Sequence, residues 1–274
     1  MRRTLRLCDT TSFTPNGSEK EMAQFGKVDY WRERYTKADS ITRKIVTEYD
    51  WYVDAEDAKS LVATYLAGKL ESKILIVGCG ISLLTRVLYN AGFKNIIAVD
   101  FCEDAVEIMR KRDKDLEGVQ VLVMDARNLS TFPDAAFDCV VDKACLDCVF
   151  SSDSSIEAAH SALEEIARVL APEGIFLSVS YADVQSRYPH FKKDQFEWTV
   201  GQTSISTGID NDISYNVFIA TKWNEEEKAA WQIEEDKRLE ILRQKREKQK
   251  EEEKRLPGED TDSEDEKNLL EDGK

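Results

Sequence analysis

The sequence predicts an α/β fold, a mostly parallel sheet covered by helices on both faces and closed by an antiparallel pair of strands. Two observations carry the prediction. Short apolar runs at Ile74 to Val77, Asn95 to Asp100, Val119 to Met124, Phe137 to Lys143 and Ile175 to Ser180 have the near-continuous hydrophobicity of strands buried on both faces. Between them lie segments whose apolar residues recur at helical spacing, and strand alternating with helix gives a parallel sheet with right-handed crossovers.

The chain has 274 residues and a formal net charge of −15. A domain of about 200 residues can bury roughly 70% of its unfolded surface, so a self-sufficient core is expected over 25–223. The negative charge argues against a nucleic-acid surface and suits a basic partner. Six cysteines, at 8, 79, 102, 139, 145 and 148, lack the dense framework of a secreted scaffold and point to a reducing compartment. No apolar run approaches the ~18 residues of a membrane span, and no signal-peptide core opens the sequence. Met1 to Leu7 is Arg-rich and hydroxylated, as a mitochondrial transit peptide would be, but Asp9, Glu19 and Glu21 oppose that reading. A cytoplasmic protein is the expectation.

Residues 1–24 read as a flexible lead-in, with a turn-forming cluster from Thr14 to Ser18. Phe25, Tyr30, Trp31, Tyr35, Tyr49, Trp51 and Tyr52 then fall within 28 residues. They either plug one edge of the core or form a lid over a ligand. Asp54 can cap a helix over 55–68, where Ala58, Leu61, Val62, Tyr65 and Leu66 share a face. Leu83, Leu84, Val87 and Leu88 mark a second helix stopping at Gly92, and Ala105, Val106, Ile108 and Met109 a third. Ser154 or Ser155 can cap another running to Leu170, before Ala171-Pro172-Glu173-Gly174 turns into the fifth strand. Phe196 to Val200 and Tyr215 to Ala220 look like the closing pair, and Tyr188-Pro189-His190-Phe191, in the connection before them, is a candidate wall of a substrate site.

The chemistry is concentrated at the carboxyl ends of the strands, where ligands bind in open α/β sheets. Gly78-Cys79-Gly80 follows the first strand, and its glycines allow a sharp turn with close approach of backbone to ligand. Asp100 closes the second strand and can accept both hydroxyls of a ribose. Leu83 stands where a dinucleotide fingerprint wants a small residue, so a nucleoside cofactor without phosphates, such as S-adenosylmethionine, fits better. Asp125, after the third strand, is either a turn cap or an acceptor for an adenine amino group. Asp142 and Lys143 end the fourth strand and lead into Cys145-Leu146-Asp147-Cys148. No metal centre is expected, because this C-x-x-C has no second pair and the chain holds only two histidines, His160 and His190.

From Asn224 the composition turns to Glu, Lys and Arg. A charged helix over 224–256 is expected, supported by pairs such as Glu234 with Arg238 and Glu251 with Arg255, then an acidic disordered tail over 257–274. The arm is either solvated or a docking element for an unknown partner, and Ser263, among acids, is a candidate phosphorylation site.

Phe25-Gly26-Lys27-Val28-Asp29-Tyr30-Trp31, Tyr49-Asp50-Trp51-Tyr52, Gly78-Cys79-Gly80, Phe137-Asp138 and Asp142-Lys143-Ala144-Cys145-Leu146-Asp147 together resemble the Rossmann-like, seven-strand methyltransferases that act on lysine of translation elongation factor 1-alpha. The resemblance spans about residues 25–222. It implies S-adenosylmethionine contacts at Trp31, Tyr35, Trp51, Gly78, Asp100, Phe101, Asp125, Ala126 and Lys143, and favours the lid reading of the aromatics. The chain departs from the family pattern at Ile81, where Asn is usual, and at Ala144 and Cys145, where Gly and Thr are usual. Asp142 and Asp147 either orient an acceptor amine or relay its proton, or are strand-end caps. A small-molecule methyltransferase, and a non-catalytic interaction protein on the same fold, are the competing readings.

Overall fold

The computed structural model describes residues 23–37, 45–152, 155–206 and 213–255. The lead-in up to residue 22 with Cys8, the candidate cap Ser154 and the acidic tail with Ser263 lie outside them. After a 3-10 turn at Ala23–Gly26 come α1 (Val28–Thr36), α2 (Ala55–Tyr65), β1 (Ile74–Val77), α3 (Leu84–Asn90), β2 (Ile96–Asp100), α4 (Glu103–Arg112) and β3 (Gln120–Val123). There follow β4 (Phe137–Lys143), α5 (Cys145–Phe150), α6 (Ser155–Val169), β5 (Leu170–Ser180), α7 (Val184–Phe191), β6 (Trp198–Ser206), β7 (Ser214–Lys222) and α8 (Glu225–Arg255).

One seven-stranded sheet runs β3-β2-β1-β4-β5-β7-β6. Strands β1 to β5 pair in parallel, and β7 is antiparallel to both β5 and β6. The predicted fold class is therefore the observed one. Ile74 and Ile76 face the layer of α2, α3 and α4, while Leu75 and Val77 face α6 and α7. Both faces are covered, which is why β1 reads as an unbroken apolar run. Each such side chain contributes about 1.5–3 kcal/mol by leaving water.

Three local expectations need correction. Helix α2 is capped by Asp54, which accepts from Asp57 N–H at 2.8 Å, but stops at Tyr65, because Ala67 and Gly68 turn left-handed. The turn at Ala171 to Gly174 is an irregularity inside β5: Leu170 pairs with Phe137 and Ile175 with Cys139, so extra residues on β5 loop out between them. Tyr188, Pro189, His190 and Phe191 lie in helix α7, whose cap Asp183 accepts Ser186 N–H at 2.8 Å. Helices α1 and α5 were not foreseen either.

The chain divides into two compact units, 1–225 and 226–274. In the second, α8 is solvated along most of its length, and Arg238 pairs with Glu235 at 3.1 Å rather than with Glu234. Among the described residues no helix is long and apolar enough to cross a membrane.

Candidate functional site

Strand β1 ends in a turn that only glycine permits. Gly78 and Gly80 have φ of +58° and +50°, the left-handed region that costs an L side chain roughly 1–2 kcal/mol. Space forbids a side chain as well. A Cβ on Gly78 would run into Cys145, and one on Gly80 would lie 2.8 Å from the Tyr35 hydroxyl. Arg112, at the end of α4, grips the turn by donating to the carbonyls of Ile81 at 2.8 Å and Ser82 at 2.7 Å. Buried Asp113 holds Arg112 in turn, at 2.7 Å. Sequence reasoning missed Arg112, since nothing marks a last-turn arginine as a brace for a loop three elements away.

Asp100 ends β2 nearly buried, 6% exposed. Its two oxygens accept Gly80 N–H at 2.8 Å and Cys102 N–H at 2.9 Å. Burial pushes its carboxyl up to about 6, against the pull of those two amides. An ionised carboxylate takes about four hydrogen bonds, so capacity remains for a ribose diol. Asp125 is occupied differently: Arg127 donates to both its oxygens, Nε at 3.0 Å to each and Nη2 at 2.5 Å to one. Burial opposes its ionisation, and the Arg127 hydrogen bonds outweigh it, holding the carboxyl below its ordinary range. Both Asp125 oxygens are thus already engaged by Arg127 at this strand end.

The aromatic segment is both plug and wall. Trp31 and Tyr35 are buried in a cluster with Phe25, Ile81, Cys102 and Ala105, their rings stacked 5.8 Å apart. Trp31 Nε1 donates to Phe25 carbonyl at 2.7 Å, and Trp51 meets Trp31 edge-on at 6.0 Å. Ile81, at the family's Asn position, fills this cluster at 3% exposure. Lys143 binds the segment to the sheet: its buried Nζ pairs with Asp50 at 3.0 Å and donates to Trp51 carbonyl at 3.2 Å. Asp50 also accepts the Ser82 hydroxyl. The Lys143 charge is thereby committed to architecture, and the motif Tyr49-Asp50-Trp51-Tyr52 is the signal through which Asp50 was findable.

All ten residues predicted to hold the cofactor, Trp31, Tyr35, Trp51, Gly78, Gly80, Asp100, Phe101, Asp125, Ala126 and Lys143, line one cleft. Counted out to its open mouth, the cleft encloses about 1140 Å³ of empty space. The two carboxylates predicted to act in catalysis do not line it. Asp142, 1% exposed, accepts Leu146 N–H at 3.1 Å and Ser178 hydroxyl at 2.6 Å, joining β4, α5 and β5. Asp147, 3% exposed, takes Tyr52 hydroxyl at 3.0 Å, Ser180 hydroxyl at 2.6 Å, Tyr181 N–H at 3.1 Å and Arg187 Nη2 at 2.8 Å. These bonds tie neighbouring elements together, which is the strand-end role open to both carboxylates from the sequence. Burial pushes Asp142 up to about 7 and raises Asp147 against the opposing pull of Arg187.

His190 bonds His160 at 3.1 Å, away from the cleft. It is not among the residues that line the cleft. Cys145 and Cys148 do line the cleft, as free thiols that burial raises above the ordinary range. No cluster of metal-binding side chains occurs among the described residues.

The donor set fits S-adenosylmethionine: a buried carboxylate for ribose, a glycine turn without Cβ groups, and an aromatic wall. Comparisons with known proteins agree. A methyltransferase domain family matches residues 75–178. EEF1A lysine methyltransferase 4 of Mus musculus is 30% identical over 208 residues, covering 73% of this chain and 78% of the relative. The eEF1A lysine and N-terminal methyltransferase of Mus musculus is 28% identical over 197 residues, 70% of this chain and 27% of that longer protein. The fold is shared with the crystal structure of Burkholderia thailandensis 1,6-didemethyltoxoflavin-N1-methyltransferase with bound 1,6-didemethyltoxoflavin and S-adenosylhomocysteine. That structure is 17% identical with a TM-score of 0.54, covering 77% of this chain and 93% of that one. S-adenosylmethionine is the cofactor. The chain belongs to the class I S-adenosylmethionine-dependent methyltransferases, in the family of EEF1A lysine methyltransferase 4.

Proposed function

We propose that this methyltransferase is a cytoplasmic protein-lysine N-methyltransferase whose substrate is translation elongation factor 1-alpha. The observation that carries the reading is the 30% identity with EEF1A lysine methyltransferase 4 across 78% of that relative's length. The net charge of −15 suits a basic protein substrate.

The cofactor, when bound, supplies a sulfonium-activated methyl group, so the chain's task is alignment and exclusion of water. Asp100 and the Gly78 to Gly80 turn would hold the nucleoside end, and the Trp31, Tyr35 and Trp51 wall would keep water from the amino-acid end. An acceptor lysine must lose its proton first, which costs roughly 4 kcal/mol at pH 7.4 from a solution pKa of ~10.4. An aromatic, desolvated entry lowers that pKa. No side chain of the cleft needs to act as a strong base, consistent with the engagement of Asp142 and Asp147 elsewhere.

The test is transfer of labelled methyl from S-adenosylmethionine into a cytosolic extract. The expected outcome is one labelled protein at the mass of elongation factor 1-alpha, with label on lysine, absent with Asp100→Ala. Label confined to small molecules would replace this reading with a small-molecule methyltransferase.

A further inference from the structure

Beyond Lys143 the carboxyl edge carries a second group of side chains, outside the ten predicted to hold the cofactor. Tyr52 lines the cleft with φ of +66°, a backbone strain that a bulky residue keeps only when its surroundings enforce it. They do so here. Its hydroxyl donates to Asp147 at 3.0 Å, its ring stacks on Tyr215 at 4.8 Å, and it meets Tyr181 edge-on at 6.0 Å. Asp147 is itself fixed by Ser180, Tyr181 N–H and Arg187, whose guanidinium lies 3.6 Å over the Phe150 ring.

The sheet order places this group. Along the carboxyl edge come Asp125 after β3, Asp100 on β2, Gly78 after β1, Lys143 on β4 and then Tyr181 after β5. Tyr215 joins them because β7 runs antiparallel and Asn216 pairs with Ser180. Neighbouring strands lie about 4.8 Å apart, so Tyr181 stands about 14 Å from the Asp100 ribose site, three strands along. A nucleoside held by Asp100 and the Gly78 to Gly80 turn would leave the far wall of the cleft, with Lys143, Ala144, Cys148 and Tyr52, for the acceptor. Of the three tyrosines Tyr52 lines the cleft, and Tyr181 and Tyr215 meet it ring to ring.

Resting on the lysine reading above, we propose that Tyr52, Tyr181 and Tyr215 form the subsite for the acceptor's alkylamine, with Asp147 and Arg187 as positioning residues that hold Tyr52 in place. Ring faces attract an arriving ammonium and give its methylene stem an apolar surface. Arg187 neutralises Asp147, so the buried carboxylate does not trap the acceptor in its protonated, unreactive form. Once neutral, the amine attacks the methyl carbon: the N–C bond forms, the C–S bond breaks with its electron pair going to sulfur, and the surplus proton on nitrogen leaves to water.

The test uses calorimetry on the full chain with two ligands, S-adenosylhomocysteine and an analogue in which a nitrogen replacing the sulfur carries a four-carbon aminoalkyl arm. The analogue should bind at least about tenfold tighter than S-adenosylhomocysteine. Tyr215→Ala and Tyr52→Ala should abolish most of that gain while S-adenosylhomocysteine binds them as it does the wild type. In labelled transfer to protein the same variants should raise KM. An analogue with no gain in the wild type, or with its full gain in both variants, overturns the subsite. So does an equal loss of S-adenosylhomocysteine binding, which would assign the tyrosines to the cofactor. The arm's gain is read without any protein substrate, so failure of the extract experiment with the gain intact would refute only the protein-lysine reading.

Discussion

At the β1 and β2 end of the carboxyl edge the polar partners are backbone amides, Gly80 N–H and Cys102 N–H on Asp100. At the β4 and β5 end they are mostly side chains, the Tyr52 and Ser180 hydroxyls and the Arg187 guanidinium on Asp147. Both carboxylates are buried, yet their environments differ in kind. Asp100 is held by dipoles and carries an uncompensated charge, whereas Asp147 is one half of a buried ion pair. A dipole-held site keeps capacity for a neutral diol. An ion-paired site is rigid and electrically quiet, which suits the wall of a channel for a cationic side chain.

The largest expected effect follows from that contrast. The side chains of Arg187 and Asp147 are 8% and 3% exposed, so Arg187→Leu should strand a buried carboxylate and cost about 3–5 kcal/mol in urea unfolding. Asp100→Asn should cost less, about 1–2 kcal/mol, because no ion is left alone. Equal losses in the two variants would break the distinction.

Acidity sharpens it next. Burial places the Asp100 carboxyl at about 6, so below that pH it holds its proton and can no longer accept from both ribose hydroxyls. S-adenosylhomocysteine affinity should be level above pH 6 and fall by about tenfold per pH unit beneath it. The sign is that of an acid raised by burial: the ionised, binding form is lost as pH falls through 6. Asp142, raised to about 7, does not line the cleft, and its titration should alter unfolding rather than binding. Asp100→Asn should flatten the binding profile; a slope that survives it would place the titrating group elsewhere.

The two ends also differ in how far the sequence disclosed them. Buried strands declare themselves by unbroken apolar runs, and a glycine pair followed about twenty residues later by an acid describes a backbone-built site, so Gly78, Gly80 and Asp100 were legible. The Asp147 cluster draws on α5, β5, α7 and the segment before α2, which meet only through the tertiary fold. Asp147 was noticed for its position, but no linear spacing shows that Arg187, 40 residues later, pairs with it. Helix α7 stayed hidden because Pro189 lies inside it, and proline in an unknown segment argues for a loop. Arg112 escaped for the same reason as Arg187: its partners are carbonyls of a distant turn.

The smallest effect concerns Ala144, between the two ends, where the family usually has glycine. Its φ is +74° and it precedes α5 while lining the cleft. A left-handed alanine costs roughly 1–2 kcal/mol, and replacing it by glycine returns part of that as extra freedom of the unfolded chain. Ala144→Gly should therefore stabilise the fold by about 0.5–1 kcal/mol, read as a higher urea midpoint at unchanged slope. Glycine would also free the hinge between Lys143, which anchors the cofactor-side wall, and α5, which carries Asp147. If the stiff alanine keeps the two ends in register, the more stable variant should bind S-adenosylhomocysteine as before and transfer methyl more slowly. Unchanged transfer would mean that Asp147, through Tyr181 and Arg187, fixes α5 by itself.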